Sequence, residues 1–449
     1  MESRKSDAPA VDLTPPANSG LLERLFRLRL HGTTVRTELI AGMTTFITMA
    51  YIIFVNPNIM ADAGIDHGAA FVATCIAAAL GCLLMGLYAN WPVGLAPGMG
   101  LNAFFTYTVV GTMGYSWETA LGAVFVSGVL FMILTLSRVR EWLLNSIPVS
   151  LRHAMGAGVG LFLGVIGLKT AGIVVASPAT LIKLGSLHEP APLLAALCFL
   201  MIAVLSYHWV FGAILISIIT VTLLGWGLGL VQYGGVFSLP PSLAPTWMAM
   251  DLAGVFNVSM ISVVLAFLFV HMFDTAGTLM GVAQRANLVR ADGRIENLSR
   301  ALKADSASSV FGAVVGVPPV TSYVESAAGV AAGGRTGLTA VVVGLLFVAA
   351  MFFAPLAGMI PAYATAGALI YVAMLMMGSM AHINWDDATD CIPAIVTLIM
   401  MPLTFSVADG IALGFISYVV LKAGTDKHRE ISASLWVLCV IFIAKFAFL

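Results

Sequence analysis

Charged residues are scarce in this chain of 449 residues. They make up 10% of the sequence, where soluble proteins have roughly 25%, and hydrophobic residues make up 60%. That excludes an ordinary soluble domain, because no soluble core needs so much apolar sequence. We therefore predict an all-α, polytopic membrane protein.

Cysteine is also rare, and enzyme signatures are absent. The five cysteines lie in apolar stretches without CxxC spacing, which favours small buried hydrophobic residues over disulfides or metal ligands. There is no GxSxG, HExxH or Walker loop, and no soluble segment long enough for an ATPase. We expect no enzymatic activity, no cofactor, no metal and no nucleic-acid partner.

Apolar runs, in contrast, are abundant. About fourteen can be placed between residues 41 and 422, and a last stretch, 431–449, either crosses the bilayer or dips into it. Of the 21 Lys and Arg residues, 18 fall on the side reached after zero, four, eight, ten or fourteen spans. This bias predicts a cytoplasmic N terminus, and we expect the inner (plasma) membrane.

The N-terminal segments are polar and then amphipathic. Residues 1–20 contain few apolar residues and are expected to be disordered. Residues 21–37 alternate leucines with arginines, which is typical of an amphipathic helix on the membrane surface. The alternative is a solvent-exposed helix that precedes the first span.

Two spans are interrupted by Gly and Pro. The third reads WPVGLAPGMGLNAFFTYTVV and contains Asn102; the tenth reads GVPPVTSYVESAAGVAAGG and contains Glu325. They are seven spans apart, so the two halves enter the membrane in opposite orientations. Such paired half-helices with short extended segments predict a transporter built from two inverted repeats of seven spans. Kinked helices with structural glycines are the alternative.

The eighth span, in FLFVHMFDTAGTLMGVAQRANL, contains a second acid, Asp274. A charged side chain costs about 2.5–3.5 kcal/mol at the bilayer centre, so an intramembrane acid predicts a functional site. Asp274 and Glu325 are expected to bind substrate N–H groups and to carry the coupling proton. The alternative is a structural role, in which the two acids hold helices together through hydrogen bonds.

Several other residues are candidates with structural alternatives. His271 can relay a proton, orient Asp274, or be a satisfied core histidine; Asp305 can cap the ninth span or couple to the proton path. Hydroxyls of the Thr44–Thr45 pair can reach substrate or bond their own helix, and phenylalanines can stack on a flat ring or only pack. The candidates for substrate contact are Asn102, Thr45, Phe46, Phe104, Ser322, Tyr323 and Val324. The acidic cluster DDATD at 386–390 is expected to be solvated.

These features favour a secondary transporter over two other classes. A channel needs a repeated filter or a ring of charges, and this chain has one asymmetric polar site. A membrane-embedded enzyme needs a nucleophile and a base at suitable spacing. His271 and Asp274 alone are weak evidence for such a pair.

The chain also resembles a known family. FDTAGTLMGVAQRANL, YVESAAGVAAGGRTGLTAVVVGLLF, APGMGLNAFF and TTFITMAYIIFVNP are similar to motifs of the adenine/guanine/hypoxanthine permeases, a subgroup of the nucleobase–cation symporter family. The likeness extends from residue 31 to residue 420, and the bacterial adenine permeases are the most similar members.

The resemblance implies a core domain, a gate domain and a substrate site between them. The core would be 38–137 and 256–356, and the gate 149–230 and 361–449. Asp274, Glu325 and Asn102 match the family's site residues, and Asp305 matches an acid needed at the start of the ninth span. His271 stands at a variable position.

The expected function is proton-coupled import of purine bases by alternating access. Adenine is the expected substrate, with a guanine- or hypoxanthine-preferring permease as the alternative. The expected partners are the purine, protons and the lipid bilayer, with a homodimer as an option.

Overall fold

The computed structural model describes residues 20–137, 148–178, 180–289, 295–425 and 427–448. The predicted disordered tail therefore lies outside the described residues, apart from Gly20. Helices dominate the described ranges, and the strands are short. We number both in chain order.

The helices of the first half are α1 (Leu21–Phe26), α2 (Val35–Met49), α3 (Ile52–Asp62), α4 (His67–Leu84), α5 (Met99–Ala103), α6 (Trp117–Leu136), α7 (Val149–Thr170), α8 (Pro190–Tyr207) and α9 (Ala213–Gly227). Those of the second half are α10 (Val258–Arg285), α11 (Leu298–Val315), α12 (Ser326–Ala331), α13 (Gly337–Ala350), α14 (Ala354–Gly358), α15 (Ala362–Met377), α16 (Ala388–Leu403), α17 (Val407–Gly424) and α18 (Ala433–Phe448). The strands are β1 (Leu95–Pro97), β2 (Val174–Ser177), β3 (Leu181–Leu184) and β4 (Val320–Ser322).

Each of the predicted membrane segments contains a helix. Within the described ranges, nine helical stretches are long and apolar enough to cross a bilayer, one of them combining α2 with α3 and another α13 with α14. Three shorter apolar helices lie at 213–227, 388–403 and 433–444. The half-spans α5 and α12, together with the more polar α11, account for the remaining predicted segments. The 16 residues of α18 extend about 24 Å, short of the roughly 30 Å hydrocarbon thickness.

The N-terminal amphipathic segment is less helical than predicted. Only Leu21–Phe26 form a helix, because Arg27 adopts the left-handed conformation (φ 54°) and ends it. Phe26 and Leu28 are buried against Leu338 at the start of α13. A turn then leads to α2, whose N-cap Thr34 accepts a hydrogen bond from a backbone N–H of the first helical turn. The expected single helix over 21–37 is therefore two helices joined by a turn.

The two Gly/Pro-interrupted spans meet at a two-stranded antiparallel sheet. β1 pairs with β4 in the register Leu95 with Ser322, Ala96 with Thr321 and Pro97 with Val320. After β1 the third span continues as α5 and then as a π-helix, Phe104–Thr112. After β4 the tenth span continues as α12. The prediction of half-helices preceded by short extended segments is confirmed.

The helices pack mainly within two groups. In one, α6 packs against α10 and α11, and α4 packs against α3, α11 and α13. In the other, α7 packs against α15 and α16, and α16 packs against α17. The half-helix α5 lies between the groups, because it contacts both α7 and α3, whereas α12 contacts α2 and α10 of the first group.

An ion-pair cluster joins α16, α17 and the segment after α17. Lys422, 1% exposed, lies 2.7 Å from Glu430 and 3.1 Å from Asp390, while Lys427 lies 2.7 Å from Asp387. The DDATD cluster was expected to be solvated; the side chains of Asp387 and Asp390 remain 27% and 21% exposed, and both also pair with lysines. A buried lysine needs nearby carboxylates to offset its desolvation, and these two acids supply them.

Candidate functional site

The two half-spans are joined by hydrogen bonds beyond the strand ladder. Gly98 donates its N–H to Pro319 at 2.9 Å, and Tyr323 donates its N–H to Gly94 at 3.0 Å. The Tyr323 hydroxyl donates to the carbonyl of Pro97 at 2.6 Å. Gly94, Pro97 and Pro319 take part through their backbone carbonyls, at the point where strand pairing stops and the half-helices begin. The backbone there is satisfied by the protein, as a non-helical segment at membrane depth needs.

Glu325 lies at the start of α12 and has a defined partner. The Tyr51 hydroxyl donates a 2.8 Å hydrogen bond to Glu325 Oε1, and Tyr51 is 1% exposed. Tyr51 stands at the break between α2 and α3, where the first span stops being helical for two residues. The adjacent Thr48 hydroxyl donates to the backbone carbonyl of Glu325 at 3.4 Å. The carboxylate itself is half-buried, so one of its oxygens is available to a ligand.

Asp274 faces open space on α10. Its side chain is exposed, hydrogen-bonds Thr321 of β4, and lies close enough to Glu325 for the two charges to interact. Gly277 and Gly281 continue the same face of the helix, and a Cβ at either position would meet nothing within 4 Å. The side chain at 324, between β4 and α12, is also 56% exposed. Asp274, Gly277 and Gly281 therefore lie on one open face of α10 with Glu325 nearby, and we call this open face the groove.

Asp305 is at the centre of a fully buried network. Its carboxylate accepts hydrogen bonds from His271 Nε2 at 2.7 Å, from the Thr275 hydroxyl at 2.9 Å and from the Ser322 hydroxyl at 2.7 Å. These bonds join α10, α11 and β4 beneath Asp274. The helix-capping alternative for Asp305 is wrong, because α11 begins at Leu298 and places Asp305 in its third turn.

His271 and Ser322 both use their side chains on Asp305, which for His271 agrees with the core-histidine alternative. His271 is 1% exposed and bonds Asp305, so it does not orient Asp274 through a hydrogen bond. The Ser322 hydroxyl is likewise used by Asp305. The backbone of Ser322 pairs with Leu95, and that of Tyr323 pairs with Gly94.

Two polar candidates are buried with an unpaired oxygen. Asn102 is 0% exposed, and its Oδ1 has no hydrogen-bond partner in the described part of the chain. Its Nδ2 donates weakly to Pro97 at 3.5 Å. The Thr45 hydroxyl is also unpaired among the described residues, and it packs against Gly329 of α12. Asn102 thus retains an acceptor beside the strand crossing, whereas Thr45 is enclosed by a helix contact.

The aromatic candidates pack on neighbouring helices. Phe46 makes an edge contact with Phe347 of α13, with ring centroids 5.2 Å apart. Phe104 is fully buried and makes an edge contact with Phe267 of α10 at 4.9 Å. Stacking of either ring on a substrate therefore needs a different side-chain arrangement from the one in this structure.

Sequence reasoning missed two residues that the structure places in key positions. Tyr51 was overlooked although a phenol inside an apolar run needs a hydrogen-bond partner. Glu38, 0% exposed, accepts bonds from the N–H groups of Arg335, Thr336 and Thr339 and from the Thr339 hydroxyl at the N-terminus of α13. An acid at the start of a span, in VRTELIAG, was the available signal.

The described residues contain no cluster of three or more His, Cys, Asp or Glu side chains able to hold a metal ion. The groove instead offers two carboxylates, and the buried, unpaired amide oxygen of Asn102 lies beside the strand crossing. This set can accept and donate hydrogen bonds to a small polar molecule and can exchange a proton with it.

Comparison with solved structures supports the fold. The transmembrane domain of the cyanobacterial bicarbonate transporter BicA matches with a TM-score of 0.60 at 15% identity, covering 86% of this chain and 96% of that one. The murine anion transporter Slc26a9, in an inward-facing state, matches with a TM-score of 0.64 at 12% identity, covering 94% and 74%. At this identity the likeness concerns the fold, which is an inverted-repeat transporter fold.

Sequence comparison gives much higher similarity. The chain is 51% identical over 436 residues to the adenine permease AdeP of Escherichia coli, covering 97% of this chain and 98% of that protein. It is 48% identical over 427 residues to the adenine permease AdeQ of the same organism, covering 95% and 96%. It is 44% identical over 442 residues to the guanine/hypoxanthine permease PbuG of Bacillus subtilis, covering 95% and 100%.

The model of the permease family that is named for xanthine and uracil matches residues 36–413. That range includes both half-spans, both groove acids and the Asp305 network. The relatives are named permeases and not enzymes, as the sequence predicts. The chain therefore belongs to the xanthine/uracil permease family and is a multi-pass membrane transporter.

Proposed function

We propose that this chain imports purine bases, adenine in preference, in symport with protons. The observation that carries the proposal is the pair Asp274 and Glu325, which border one open groove beside the crossing of the two half-spans. The names of the two E. coli relatives, both adenine permeases, support adenine as the base.

Glu325 is the proposed anchor for the N–H edge of the ring. One of its oxygens is held by Tyr51, which fixes the carboxylate orientation and leaves the other oxygen for the base. Val324 borders the groove, and the Asn102 Oδ1 is an unpaired acceptor that can receive an exocyclic amino group. A purine offers both donors and acceptors at its edges, which suits this mixed set.

Asp274 is the proposed carrier of the coupling proton. It is the exposed acid above the buried His271–Asp305 pair, and its interaction with Glu325 makes its charge depend on what occupies the groove. Protonation removes one of two neighbouring negative charges, so the proton and the base favour each other's binding. His271 and Asp305 complete the proposed proton path beneath it.

Alternating access is proposed as relative movement of two domains. The division into a core of 38–137 with 256–356 and a gate of 149–230 with 361–449 is supported by the preferential packing within each group. The open face of α10 runs from Asp274 past Gly277 and Gly281 towards Arg285. Lys and Arg bias assigns that end to the cytoplasm, so this conformation is the inward-facing one in our proposal.

Uptake of radiolabelled adenine into cells lacking their own purine permeases tests the proposal. We expect saturable uptake that a protonophore abolishes and that excess unlabelled adenine blocks. If guanine or hypoxanthine blocked uptake at a lower concentration than adenine, the preferred substrate would be one of those bases. The relative PbuG is named for these two bases. The absence of any purine uptake by correctly inserted protein would contradict the function.

Two substitutions separate binding from coupling. Asp274→Asn is expected to abolish accumulation while leaving exchange of labelled for unlabelled base, because a neutral amide retains hydrogen bonding but carries no proton. Glu325→Gln is expected to weaken binding itself. Asp62→Asn, an acid outside the groove that bonds Tyr107, is the matched control. Normal accumulation by Asp274→Asn would refute the proton assignment.

A further inference from the structure

A polar cavity lies away from the groove, beside the turn that follows the N-terminal helix. It encloses about 490 Å³ where the α1–α2 turn meets the end of α10 and the start of α13. Its wall contains Arg27, His31, Asn287, Glu296 and Arg335. Nothing in the transport mechanism uses these side chains.

The cavity contains basic groups that the protein leaves available. Neither the Arg27 guanidinium nor His31 Nε2 has a side-chain partner among the described residues, and His31 Nε2 is buried. Arg335 uses one guanidinium nitrogen on the carbonyls of Val330 and Gly334 at 2.6 and 2.8 Å. Its fork has further N–H donors that can face the cavity.

The cavity adjoins exposed apolar side chains. Leu30, 45% exposed, lies in its wall, and Leu21 and Leu25, 73% and 52% exposed, lie on α1, the helix that ends at Arg27. In a membrane protein, exposed leucines beside arginines at a span boundary contact acyl chains while the arginines reach headgroups. A ligand that fits both the basic cavity wall and the exposed leucines has a negatively charged phosphate and hydrocarbon tails.

We propose that this cavity binds the phosphate group of an anionic phospholipid. The phosphate would accept hydrogen bonds from Arg27 and Arg335, with a ring N–H of His31 as a third donor, and the acyl chains would lie on the exposed leucines. Arg–phosphate contacts are frequently bidentate, and their charge-assisted hydrogen bonds are stronger than those between neutral groups. Glu296 on the same wall disfavours a ligand of higher negative charge.

Lipid retention by the full-length protein in detergent tests the site. Protein is incubated with phosphatidylglycerol or phosphatidylcholine of identical acyl chains, and bound lipid is counted by native mass spectrometry. We expect preferential retention of phosphatidylglycerol, reduced about fivefold in Arg27→Gln because one basic residue contributes about 1 kcal/mol to such binding. His31→Gln is expected to weaken retention in the same direction.

Arg29→Gln is the matched control, because Arg29 is exposed on the same turn but is outside the cavity wall. Equal losses in Arg27→Gln and Arg29→Gln would show diffuse surface attraction and overturn the proposal, as would equal retention of the two lipids. sn-Glycerol 3-phosphate is added as a soluble competitor. Displacement of the lipid at equal concentration would identify a free phosphate ester as the ligand and overturn the lipid assignment.

Discussion

The hydroxyl of Tyr51 donates a 2.8 Å hydrogen bond to the carboxylate of Glu325, across 274 positions of the chain. Tyr51 comes from the break in the first span and Glu325 from the start of the tenth, so the bond joins the two inverted repeats. It also fixes which oxygen of Glu325 is turned towards the groove. The acid that we propose to bind the base is therefore oriented by a residue of the opposite repeat.

Tyr51→Phe removes this donor and keeps the ring. We expect adenine affinity to fall by about 5- to 100-fold, since a hydrogen bond to a charged group contributes about 1.5–3 kcal/mol, partly offset by reorientation of Glu325. Binding to purified protein is the measurement. Tyr107→Phe removes a similar tyrosine–carboxylate bond, 2.7 Å to Asp62, outside the groove. An affinity in Tyr51→Phe equal to that of the control would contradict the orienting role.

Ser322→Ala tests the buried network around Asp305. The substitution leaves a fully buried carboxylate with one donor fewer, and we expect a loss of about 1–2 kcal/mol in unfolding free energy. Thermal unfolding in detergent is the measurement. Ser308→Ala is the control, because Ser308 is equally buried but its hydroxyl bonds only the carbonyl of Ala304 in its own helix. Equal destabilisation of both variants would argue against a special role for the Ser322–Asp305 bond.

Glu38→Gln tests the cap on α13. The carboxylate accepts hydrogen bonds from several donors at that N-terminus, and its charge complements the helix dipole. An amide oxygen accepts fewer bonds and the amide nitrogen opposes the N–H donors, so we expect about 1–3 kcal/mol of destabilisation. Glu118→Gln, in the first turn of α6, is the control. Unchanged stability of Glu38→Gln relative to that control would rule out the capping function.

Lys422→Met tests the buried lysine of the α16–α17 cluster. The variant leaves Asp390 and Glu430 without their nearest cation, and we expect about 1–3 kcal/mol of destabilisation, since a broken ion pair leaves charge uncompensated. Thermal unfolding again provides the measurement. Lys183→Met, at an exposed position in β3, controls for loss of a positive charge. If Lys422→Met were as stable as Lys183→Met, the ion pairs of Lys422 would contribute nothing to the free energy of unfolding.

The same cluster predicts a pH dependence. The hydrogen bond from Lys427, with those from Thr389, holds the pKa of Asp387 well below its ordinary value. An acid with a depressed pKa contributes stability above its unfolded pKa of about 3.9 and loses it as the pH falls towards the folded value. We expect this contribution to be constant between about pH 5 and pH 8 and to disappear only in strong acid.

Lys427→Met should move that acid-induced loss to higher pH, because the pKa of Asp387 returns towards its ordinary value. Melting temperatures measured from neutral pH down to about pH 3 in wild type and variant provide the comparison. An identical acid profile in both proteins would show that Lys427 does not control Asp387.

Local sequence features were sufficient for the spans and the half-helices. Gly and Pro at the start of the third and tenth segments indicate where helices cannot continue. The structure has the short strands β1 and β4 at these positions. The limits of α11 were less predictable. Its first turns contain Arg300 and Lys303, so they give no apolar signal, although they are helical.

Side-chain partners in the site depend on tertiary contacts that no local pattern encodes. His271 and Asp274 are three residues apart on α10, yet His271 bonds Asp305 of α11 while Asp274 bonds Thr321 of β4. Helical spacing predicts a shared face but does not say which neighbouring helix supplies the partner. Tyr51 and Glu325 illustrate the same limit at a much larger sequence separation.

The pairing of β1 with β4 also sets an order of events during synthesis. Pro97 leaves the ribosome more than 200 residues before Val320, its partner in the sheet. At about 5–20 residues per second, β1 waits roughly 10–45 s for β4. Its N–H and C=O groups cannot remain unpaired in lipid during that interval, since each costs several kcal/mol there. The third span must therefore be held by water, by the insertion machinery or by temporary partners until the second repeat arrives.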